Sequence, residues 1–486
     1  MKPRKILATG LLLHATLFPH ALRADVPTID LPDIGDPTGT LMTPRQEAEL
    51  GAAFFRNLHN QMEVSEDAEI RDYIQSIGSR LTAVSDTPQL TFTFFVINSP
   101  VINAFAGPGG YIGVNSGLLL LTEEESELAS VLAHEISHVT QRHLFQTFQA
   151  ASRMAIPAAI AMLGAALLGA KGGGQAGTAA MIAAQAANTQ YQINFTRDNE
   201  AEADRVGMQV LSKSEFDPRS MPTFFERMQQ STRFAGSKLP EFLMSHPVTV
   251  SRISDTRDRA EKFAYRQVQD TMGYLIIKAK LRVLTSPSPR NAIEYFRLMT
   301  NRGTRLQQDI QAYGLALAQA RVGMIEAARN TLQRLVQTYP NQSHFMNGLA
   351  TVEMEAKNFA RAAQIYELAA QRFPGNQAMT LNHVRSLLNI NQAQQARKLL
   401  HDHLQHHSAT PDIYELLAET YNKLGNEAES HRYYAEGYYQ LGQTRSAMLQ
   451  MQLAKRVAGE NFYLNSVIDE RLSQWKREEL SRREDE

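Results

Sequence analysis

The stretch Glu127–His143 reads ELASVLAHEISHVTQRH and decides what the first half of this chain folds into. It contains the pattern HExxH, in which His134 and His138 lie four positions apart. On an α-helix such residues share one face, so the two imidazoles can bind one metal ion. Glu135 is next to the first of them and can reach a water molecule at the metal. The apolar residues before the pattern predict a helix that is buried on one side, as in zincin-type zinc enzymes.

A catalytic zinc ion needs a third protein ligand. The extended motif HExxHxxGxxH would supply one, but it requires a glycine and a histidine where this chain has Gln141 and Leu144. His143 is one position away from the place that this motif requires. The extended motif is therefore excluded, and the third ligand has to come from elsewhere in the chain.

A later acidic segment, NEAEAD, offers that ligand. Glu200 and Asp204 in this segment are again four positions apart and share a helix face. Glu200 can complete a His₂Glu site for one Zn²⁺ per chain. Asp204 can accept the other ring N–H of a ligand histidine and so fix its tautomer. Glu202, between them, is predicted to lie on the solvated face.

Length and composition indicate the class of protein and exclude several kinds of site. The chain has 486 residues, of which 43% are hydrophobic and 20% charged, as in ordinary globular proteins. With 49 basic and 50 acidic residues the net charge is -1, which argues against nucleic acid as a partner. The absence of cysteine excludes disulfides, thiolate metal sites and cysteine nucleophiles.

The N-terminus has the features of a secretory signal peptide. Met1–Lys5 is basic, Ile6–Phe18 is apolar, and the small residue Ala24 precedes Asp25. The apolar run is shorter than the roughly 20 residues that span a bilayer. Residues 1–24 are therefore predicted to be a signal peptide, and the mature protein is expected in the periplasm.

The first half is predicted to be mostly helical with a small sheet, an α+β domain over residues 25–266. Thr43 followed by Pro44 is typical of a helix start. Leu90–Ile97 and Tyr111–Val114 are predicted strands, with a turn at Pro108-Gly109-Gly110.

Two segments of this domain leave alternatives open. Asn103–Val114 is either a sheet edge along which a peptide substrate pairs, or a simple structural hairpin. Met154–Ala187 is rich in alanine and glycine, and each of its apolar pieces is too short to span a membrane. It is a buried or half-buried helical hairpin, a lid over the site, a surface in peripheral contact with a membrane, or a transmembrane hairpin.

The second half carries an internal repeat with a period of 34 residues. Each unit contains a small or aliphatic residue, a small residue twelve positions later and a large residue four positions after that. Pro340 and Pro374 lie at the ends of two units. The three series are Ala316, Ala350, Val384, Ala418; Ala328, Ala362, Ala396, Ser430; and Leu332, Tyr366, Leu400, Tyr434. This pattern resembles the tetratricopeptide repeat. It predicts an all-α solenoid over residues 267–486, with a concave surface that binds proteins.

Taken together, these motifs resemble the HtpX and CAAX-prenyl-protease family of zinc metallopeptidases. The resemblance rests on HExxH, the later Glu-x-x-x-Asp, Asn103-Ala104-Phe105 and the Pro-Gly-Gly turn, and it covers about Thr43 to Lys262. It implies zinc on His134, His138 and Glu200, with Glu135 as the catalytic base. The family's membrane-embedded members have several spans that this chain lacks, which argues against prenylated substrates and supports a soluble, exported form.

The resemblance also implies a His-Pro element near the zinc, here His246-Pro247. His246 either stabilises the tetrahedral intermediate, or occupies the fourth zinc position and keeps the enzyme latent, or is a loop histidine without a role. Arg252 either forms a structural ion pair or contacts substrate.

The function that the resemblance implies is outer-membrane protein quality control by an endopeptidase. Its expected partners are unfolded or misassembled outer-membrane proteins and the β-barrel assembly machinery, bound by the repeats. The alternative is a chaperone or assembly factor in which zinc is mainly structural. Glu135 favours the peptidase, because a structural zinc site does not need it.

Overall fold

The structure is a computed structural model that describes residues 42–150, 197–234 and 240–484. The predicted signal peptide at 1–24 lies outside the described residues, and so does the apolar segment 154–187. In the part of the chain that is described, no helix is long and apolar enough to cross a membrane.

The described residues of the N-terminal domain form helices and three short strands. In chain order they are α1 (Pro44–Gln61), α2 (Ala68–Thr82), β1 (Thr93–Ile97), β2 (Ala104–Ala106), β3 (Tyr111–Asn115), α3 (Ser116–Leu121), α4 (Glu125–Thr140), α5 (His143–Ala150), α6 (Arg197–Lys213), α7 (Ser220–Phe234), α8 (Glu241–Ser245) and α9 (Val250–Ala260). The predicted helix start at Thr43 is confirmed. Gln46 N–H donates to Thr43 Oγ1 and Thr43 N–H donates to Gln46 Oε1, which forms a capping box.

The three strands form one small sheet in the order β1-β3-β2. β1 runs parallel to β3, whereas β2 runs antiparallel to β3 and is joined to it by a tight turn at Pro108–Gly110. Gly109 in this turn has φ +69°, which glycine adopts without strain. The segment Asn103–Val114 is thus a hairpin whose strand β2 forms an edge of the sheet.

Helix α4, which carries HExxH, is buried all round along Glu125–His138. The sequence predicted burial on one side only. The difference arises because β2, α2, α6 and α7 pack around it. The ionisable residues of α4 are therefore removed from water, and each needs a partner inside the protein.

The second half consists of helix pairs stacked in sequence order. The helices are α10 (Met272–Thr285), α11 (Pro289–Met299), α12 (Arg305–Ala320), α13 (Ile325–Thr338), α14 (Ser343–Glu355), α15 (Phe359–Arg372), α16 (Gln377–Asn389), α17 (Ala393–Leu404), α18 (Pro411–Lys423), α19 (Glu427–Gln440), α20 (Thr444–Val457) and α21 (Phe462–Glu484). Mixed α and β structure followed by an all-helical array confirms the predicted fold class.

The 34-residue repeat is visible in both packing and backbone. All twelve residues of the three predicted series are buried except Tyr434, which is half-buried. Gly323, Lys357, Asn391, Gly425 and Gly459 have positive φ, and each lies 34 residues after the previous one. They sit in the turn between the two helices of a pair, where a left-handed residue reverses the chain. The repeat is thus also a repeat of turn geometry.

Helix α10 belongs to both halves of the molecule. Tyr274, Ile277 and Leu281 pack into the core of the N-terminal domain. Ile276 and Ala279 pack into the first core of the repeat array. The predicted domain boundary at residue 266/267 stays a prediction, and it falls just before a helix that both cores share.

Ion pairs also join the two halves at the N-terminal end of α2. Lys280 of α10 donates to the carboxylates of Asp67 and Glu69 at 2.6 Å each. Arg71 pairs with Asp412 at the start of α18, with Nη1 3.4 Å from Oδ1. Because Lys280 and Glu69 are largely buried, removing one partner leaves an unpaired charge in the interior.

We expect Lys280→Met to lower the free energy of unfolding by about 3–5 kcal/mol, the usual effect of breaking a buried ion pair. Lys455→Met is the matched control, because Lys455 pairs with Asp469 on the surface and such pairs contribute about 0–1 kcal/mol. Chemical denaturation of both variants measures the difference. Equal effects for the two lysines would contradict a buried role for Lys280.

Candidate metal centre

The site forms where α4 and α6 cross. Gly207 of α6 lies against the backbone of Ala133 in α4, and a side-chain carbon at 207 would come within 3.3 Å of it. This close crossing brings the His134 and His138 face of α4 against Glu200 and Asp204 of α6. Each helix contributes two residues spaced by one turn, as the sequence predicted.

Four side chains converge at this crossing: His134, His138, Glu200 and His246. The Nε2 atoms of His134 and His138 are 3.0 Å apart, and each lies 3.4 Å from an oxygen of Glu200. His246 Nδ1 lies 3.3 Å from His134 Nε2 and 2.9 Å from Glu200 Oε1. In a tetrahedral site with metal–ligand distances of about 2.0–2.1 Å, neighbouring donors are about 3.3 Å apart. The donor set therefore fits a tetrahedral metal ion.

Glu135 is fully buried beside this cluster. His246 Nε2 is 3.5 Å from Glu135 Oε1, and the backbone N–H of Ala106 in β2 is the donor nearest to the carboxylate. Burial raises the pKa of Glu135, although nearby His246 and His134 oppose the effect. A fully buried carboxylate with so few partners is unfavourable in a structural position. Such a group is expected where it takes and returns a proton.

The electrostatics favour an anionic Glu200 and a positive charge at the centre of the cluster. Burial would raise the pKa of Glu200, but His246, His134 and His138 together hold it well below its ordinary value. Burial would lower the pKa of His134, but its hydrogen bonds to Asp204 and Glu200 outweigh this and raise the pKa to about 10. Burial keeps the pKa of His138 well below its ordinary value. A metal cation would replace the proton on His134, so binding releases a proton.

Asp204 lies beside the first histidine, where the predicted orienting role requires it. Its Oδ1 lies 3.0 Å from His134 Nδ1, on the side of the ring away from Glu200. Arg252 donates two hydrogen bonds to Asp204, at 2.8 and 2.7 Å, and its Nη1 lies 2.6 Å from Glu200 Oε2. The sequence left two interpretations of Arg252 open, a structural ion pair or a contact with substrate. The structure shows a buried ion pair.

Two further residues join the site that the sequence did not assign to it. His143 Nδ1 lies 3.0 Å from His138 Nδ1, and His143 Nε2 lies 3.4 Å from Glu202 Oε2. The prediction that Glu202 only faces solvent is thus incomplete, because it also contacts a buried histidine. The sequence feature that could have identified His143 is its position immediately after the HExxH helix. A ligand histidine needs a hydrogen-bond partner for its second ring nitrogen, and a residue at this position can supply one.

A short segment around α8 closes the site. It carries His246, whose ring packs against that of Phe242 at 5.0 Å between centroids. Phe242 N–H donates to the carbonyl of Ile102 at 3.2 Å, and Asn103 Nδ2 donates to Glu241 at 3.3 Å. The segment is thus fastened next to strand β2, and it leaves His134, His138 and Glu200 almost completely buried.

Comparison with known proteins agrees with this architecture. The sequence model of peptidase family M48 matches residues 69–260, and a tetratricopeptide-repeat model matches residues 353–420. The chain is 34% identical over 419 residues to the beta-barrel assembly-enhancing protease of Escherichia coli K12, covering 86% of this chain and 85% of that protein. The chain belongs to peptidase family M48.

Other M48 relatives extend the comparison. The beta-barrel assembly-enhancing protease of Yersinia pestis is 33% identical over 389 residues, which is 80% of either chain. A mitochondrial metalloendopeptidase of Schizosaccharomyces pombe is 33% identical over 184 residues, or 37% of this chain and 50% of that protein. The predicted metallopeptidase identity and the joined tetratricopeptide repeats are confirmed. An M48 metallopeptidase requires a metal ion, and the buried His/Glu cluster has the donor set to hold one.

Metal analysis tests the ligand assignment. We expect about one metal ion per chain in the wild-type protein and loss of most of it in His138→Ala and in Glu200→Ala, because each change removes one donor from a closed set. His406→Ala is the matched control, since His406 is exposed in the repeat array. Full retention of metal by a His138→Ala, Glu200→Ala double variant would overturn the assignment.

Proposed function

We propose that this protein is an exported, zinc-dependent endopeptidase of the periplasm that acts in outer-membrane protein assembly and quality control. The observation that carries the proposal is the buried set of His134, His138 and Glu200 with Glu135 beside it. The signal peptide predicted at residues 1–24 supports export. The relatives that carry the name beta-barrel assembly-enhancing protease support the biological process.

The chemistry of the donors favours zinc. Two imidazole nitrogens and one carboxylate, close to tetrahedral, are typical of catalytic zinc sites. When bound there, zinc supplies a Lewis acid that polarises the scissile carbonyl and acidifies a water molecule. The proposed roles are His134, His138 and Glu200 as ligands and Asp204 as the residue that fixes the ring of His134.

Glu135 is the proposed general base and acid. Its carboxylate, buried beside the cluster, can take a proton from the attacking water and later deliver it to the leaving amine. The raised pKa of Glu135 supports this role, because a carboxyl that titrates nearer neutrality both accepts and returns a proton more readily. No covalent intermediate is required.

The peptide substrate is proposed to lie along β2. This strand is at the edge of the described sheet and packs against α4, so an extended peptide added there passes next to Glu135. The segment around α8 is fastened to the same region through Ile102 and Asn103. Binding of substrate therefore requires that segment to move.

His246 is proposed to hold the enzyme latent. Its Nδ1 lies with the donor atoms of His134 and Glu200 at distances that suit a fourth metal ligand. A neutral imidazole in that place competes with the water that hydrolysis needs. A protease in a compartment of unfolded proteins would otherwise cleave without selection.

The repeat array is proposed to bind the clients and the assembly machinery. Solenoids of this kind present a concave surface for proteins. The proposed clients are unfolded or misassembled outer-membrane proteins, and the proposed docking partner is the β-barrel assembly machinery. The names of the E. coli and Yersinia relatives support this choice.

The alternative function is a repeat-based chaperone or assembly factor in which zinc only stabilises the fold. The fully buried carboxylate of Glu135, which lies beside the cluster, argues against this alternative. A structural site has no use for such a group, and an alanine or glutamine at that position would cost less desolvation.

Glu135→Gln tests the peptidase directly. We expect cleavage of a model unfolded outer-membrane protein to fall by about 10²–10⁴-fold, the usual contribution of a general base, with metal content unchanged. Glu124→Gln is the matched control, because Glu124 is exposed just before the same helix. Cleavage at the wild-type rate in purified Glu135→Gln would reject Glu135 as the general base, whereas a wild-type protein that binds the substrate without cleaving it would favour the chaperone alternative.

His246→Ala separates the roles considered for that residue. If His246 holds the enzyme latent, its removal raises the rate of cleavage. If it stabilises the oxyanion, removal lowers the rate by about 10²–10³-fold. Gel-based cleavage assays on wild type, His246→Ala and a His246→Ala, Glu135→Gln double variant measure the sign. The double variant should be inactive, and an unchanged rate in the single variant would reject both roles.

A further inference from the structure

The second ring nitrogen of His138 points away from the proposed metal. His138 Nε2 faces His134 and Glu200, whereas its Nδ1 faces His143, 3.0 Å away. The rings of His138 and His143 meet edge to face, with centroids 5.0 Å apart. Both side chains are buried, and that of His143 is 0% exposed.

Proton positions follow from this geometry. A neutral imidazole that binds metal through Nε2 carries its proton on Nδ1 and must donate it. His143 Nδ1 then accepts that hydrogen bond, so the proton of His143 is on Nε2. That N–H donates to Glu202 Oε2, which is 3.4 Å away. With the opposite tautomer of His143, two N–H groups would face one another, so only one direction of donation satisfies all three residues.

The backbone holds His143 in this place. Helix α4 ends at Thr140, and Arg142 has φ +54°, a left-handed conformation that reverses the chain and starts α5 at His143. The Arg142 guanidinium lies over the ring of Phe145 at 4.9 Å and 3.7 Å from the carboxylate of Glu47 in α1. A non-glycine residue with positive φ is held only where surrounding contacts require it. The turn therefore aims the ring of His143 back at His138.

The two proposed ligand histidines thus have different hydrogen-bond partners on the side of the ring away from the metal. His134 donates directly to Asp204, a buried carboxylate that Arg252 clamps. His138 donates to a neutral imidazole, and the carboxylate that ends that chain, Glu202, has a side chain 40% exposed. Outer partners of this kind fix ring orientation and raise the basicity of the ligand nitrogen.

We propose that His143 and Glu202 are positioning residues that form a hydrogen-bonded relay, His138 to His143 to Glu202, which holds His138 in the orientation and tautomer that bind metal. The inference rests on the proposed metal site. In this proposal the two residues are not metal ligands, and they act through His138. Glu202 also pairs with Arg205, at 3.5 Å, which keeps its carboxylate on the histidine side of α6.

The test measures metal release rather than activity. Each variant, loaded with Zn²⁺, is mixed with an excess of a chromogenic chelator, and the rate of metal loss is recorded. His143→Phe keeps the ring volume but removes the acceptor, and we expect release to be about 10–100-fold faster, as for other outer partners of ligand histidines. His143→Asn restores an acceptor oxygen at about the position of Nδ1 and should recover most of the difference.

Glu202→Leu should accelerate release less than His143→Phe, because Glu202 acts through His143 and is partly solvated. Added to His143→Phe, it should cause no further acceleration, since the relay is already broken. Asp198→Asn is the matched control on the same helix, as Asp198 is exposed at the start of α6, and it should release metal like wild type.

Thermal unfolding of the metal-free variants separates positioning from simple packing. If the relay acts on metal binding, the metal-free His143→Phe and His143→Asn proteins should unfold at about the same temperature. If His143 only packs, asparagine should not restore the slow release of metal. Equal release rates in wild type and His143→Phe would overturn the relay, and so would additive effects of His143→Phe and Glu202→Leu. If wild-type protein holds no metal at all, the proposed metal site fails instead, which is a distinguishable result.

Discussion

The buried pairing of Asp204 with Arg252 is the constraint on which the rest of the site depends. Taking ions of this kind out of water costs several kcal/mol each, which only close contacts offset. The Arg252 guanidinium makes four such contacts: two to Asp204, one to Glu200 and one to the carbonyl of Pro247. One side chain of α9 therefore orients the carboxylate that fixes His134, touches a proposed ligand, and holds the loop beside His246. The ligand helix and the closing loop cannot be positioned independently of each other.

This arrangement explains how a closed site can still be opened. The ligand residues lie on α4 and α6, which are buried on several sides and packed into the main core. The closing segment is shorter: α8 has five residues, its Phe242 is buried in the same core, and it is linked to the region of β2 by hydrogen bonds from Phe242 N–H to Ile102 and from Asn103 to Glu241. Displacing this segment would expose Glu135 and strand β2, and because Arg252 contacts both Pro247 and Asp204, it would also act on the ligand helix.

The parts of this structure that sequence could predict are those encoded by local periodicity. The four-residue spacing within HExxH and within Glu200-x-x-x-Asp204 places each pair on one helix face, and the 34-residue series identifies residues that are indeed buried. Strand β2 was harder to predict, since Ala104-Phe105-Ala106 is short and lacks β-branched residues, and it becomes a strand only by pairing with β3. The contact between His143 and Glu202 spans 59 positions and depends on the turn at Arg142. Such contacts are decided by tertiary packing, which no single-sequence pattern reports.

The two halves of the molecule are joined too closely to act as separate modules. Helix α10 contributes to both cores, Lys280 and Arg71 tie the start of α2 to two different repeat helices, and Asn60 at the end of α1 donates to the carbonyl of Gly442. The other part of α1 lies against the turn that joins β2 to β3, where a side chain at Gly51 would collide with Pro108 and Gly109. A protein held on the repeat array is therefore held at a defined distance from the sheet edge and the metal centre. Under the proposed function, binding at the edge then becomes an intramolecular event with a high effective concentration, which lowers the affinity required of backbone pairing along the three residues of β2. Selection of clients can thus reside in the array, while the edge strand accepts any extended chain.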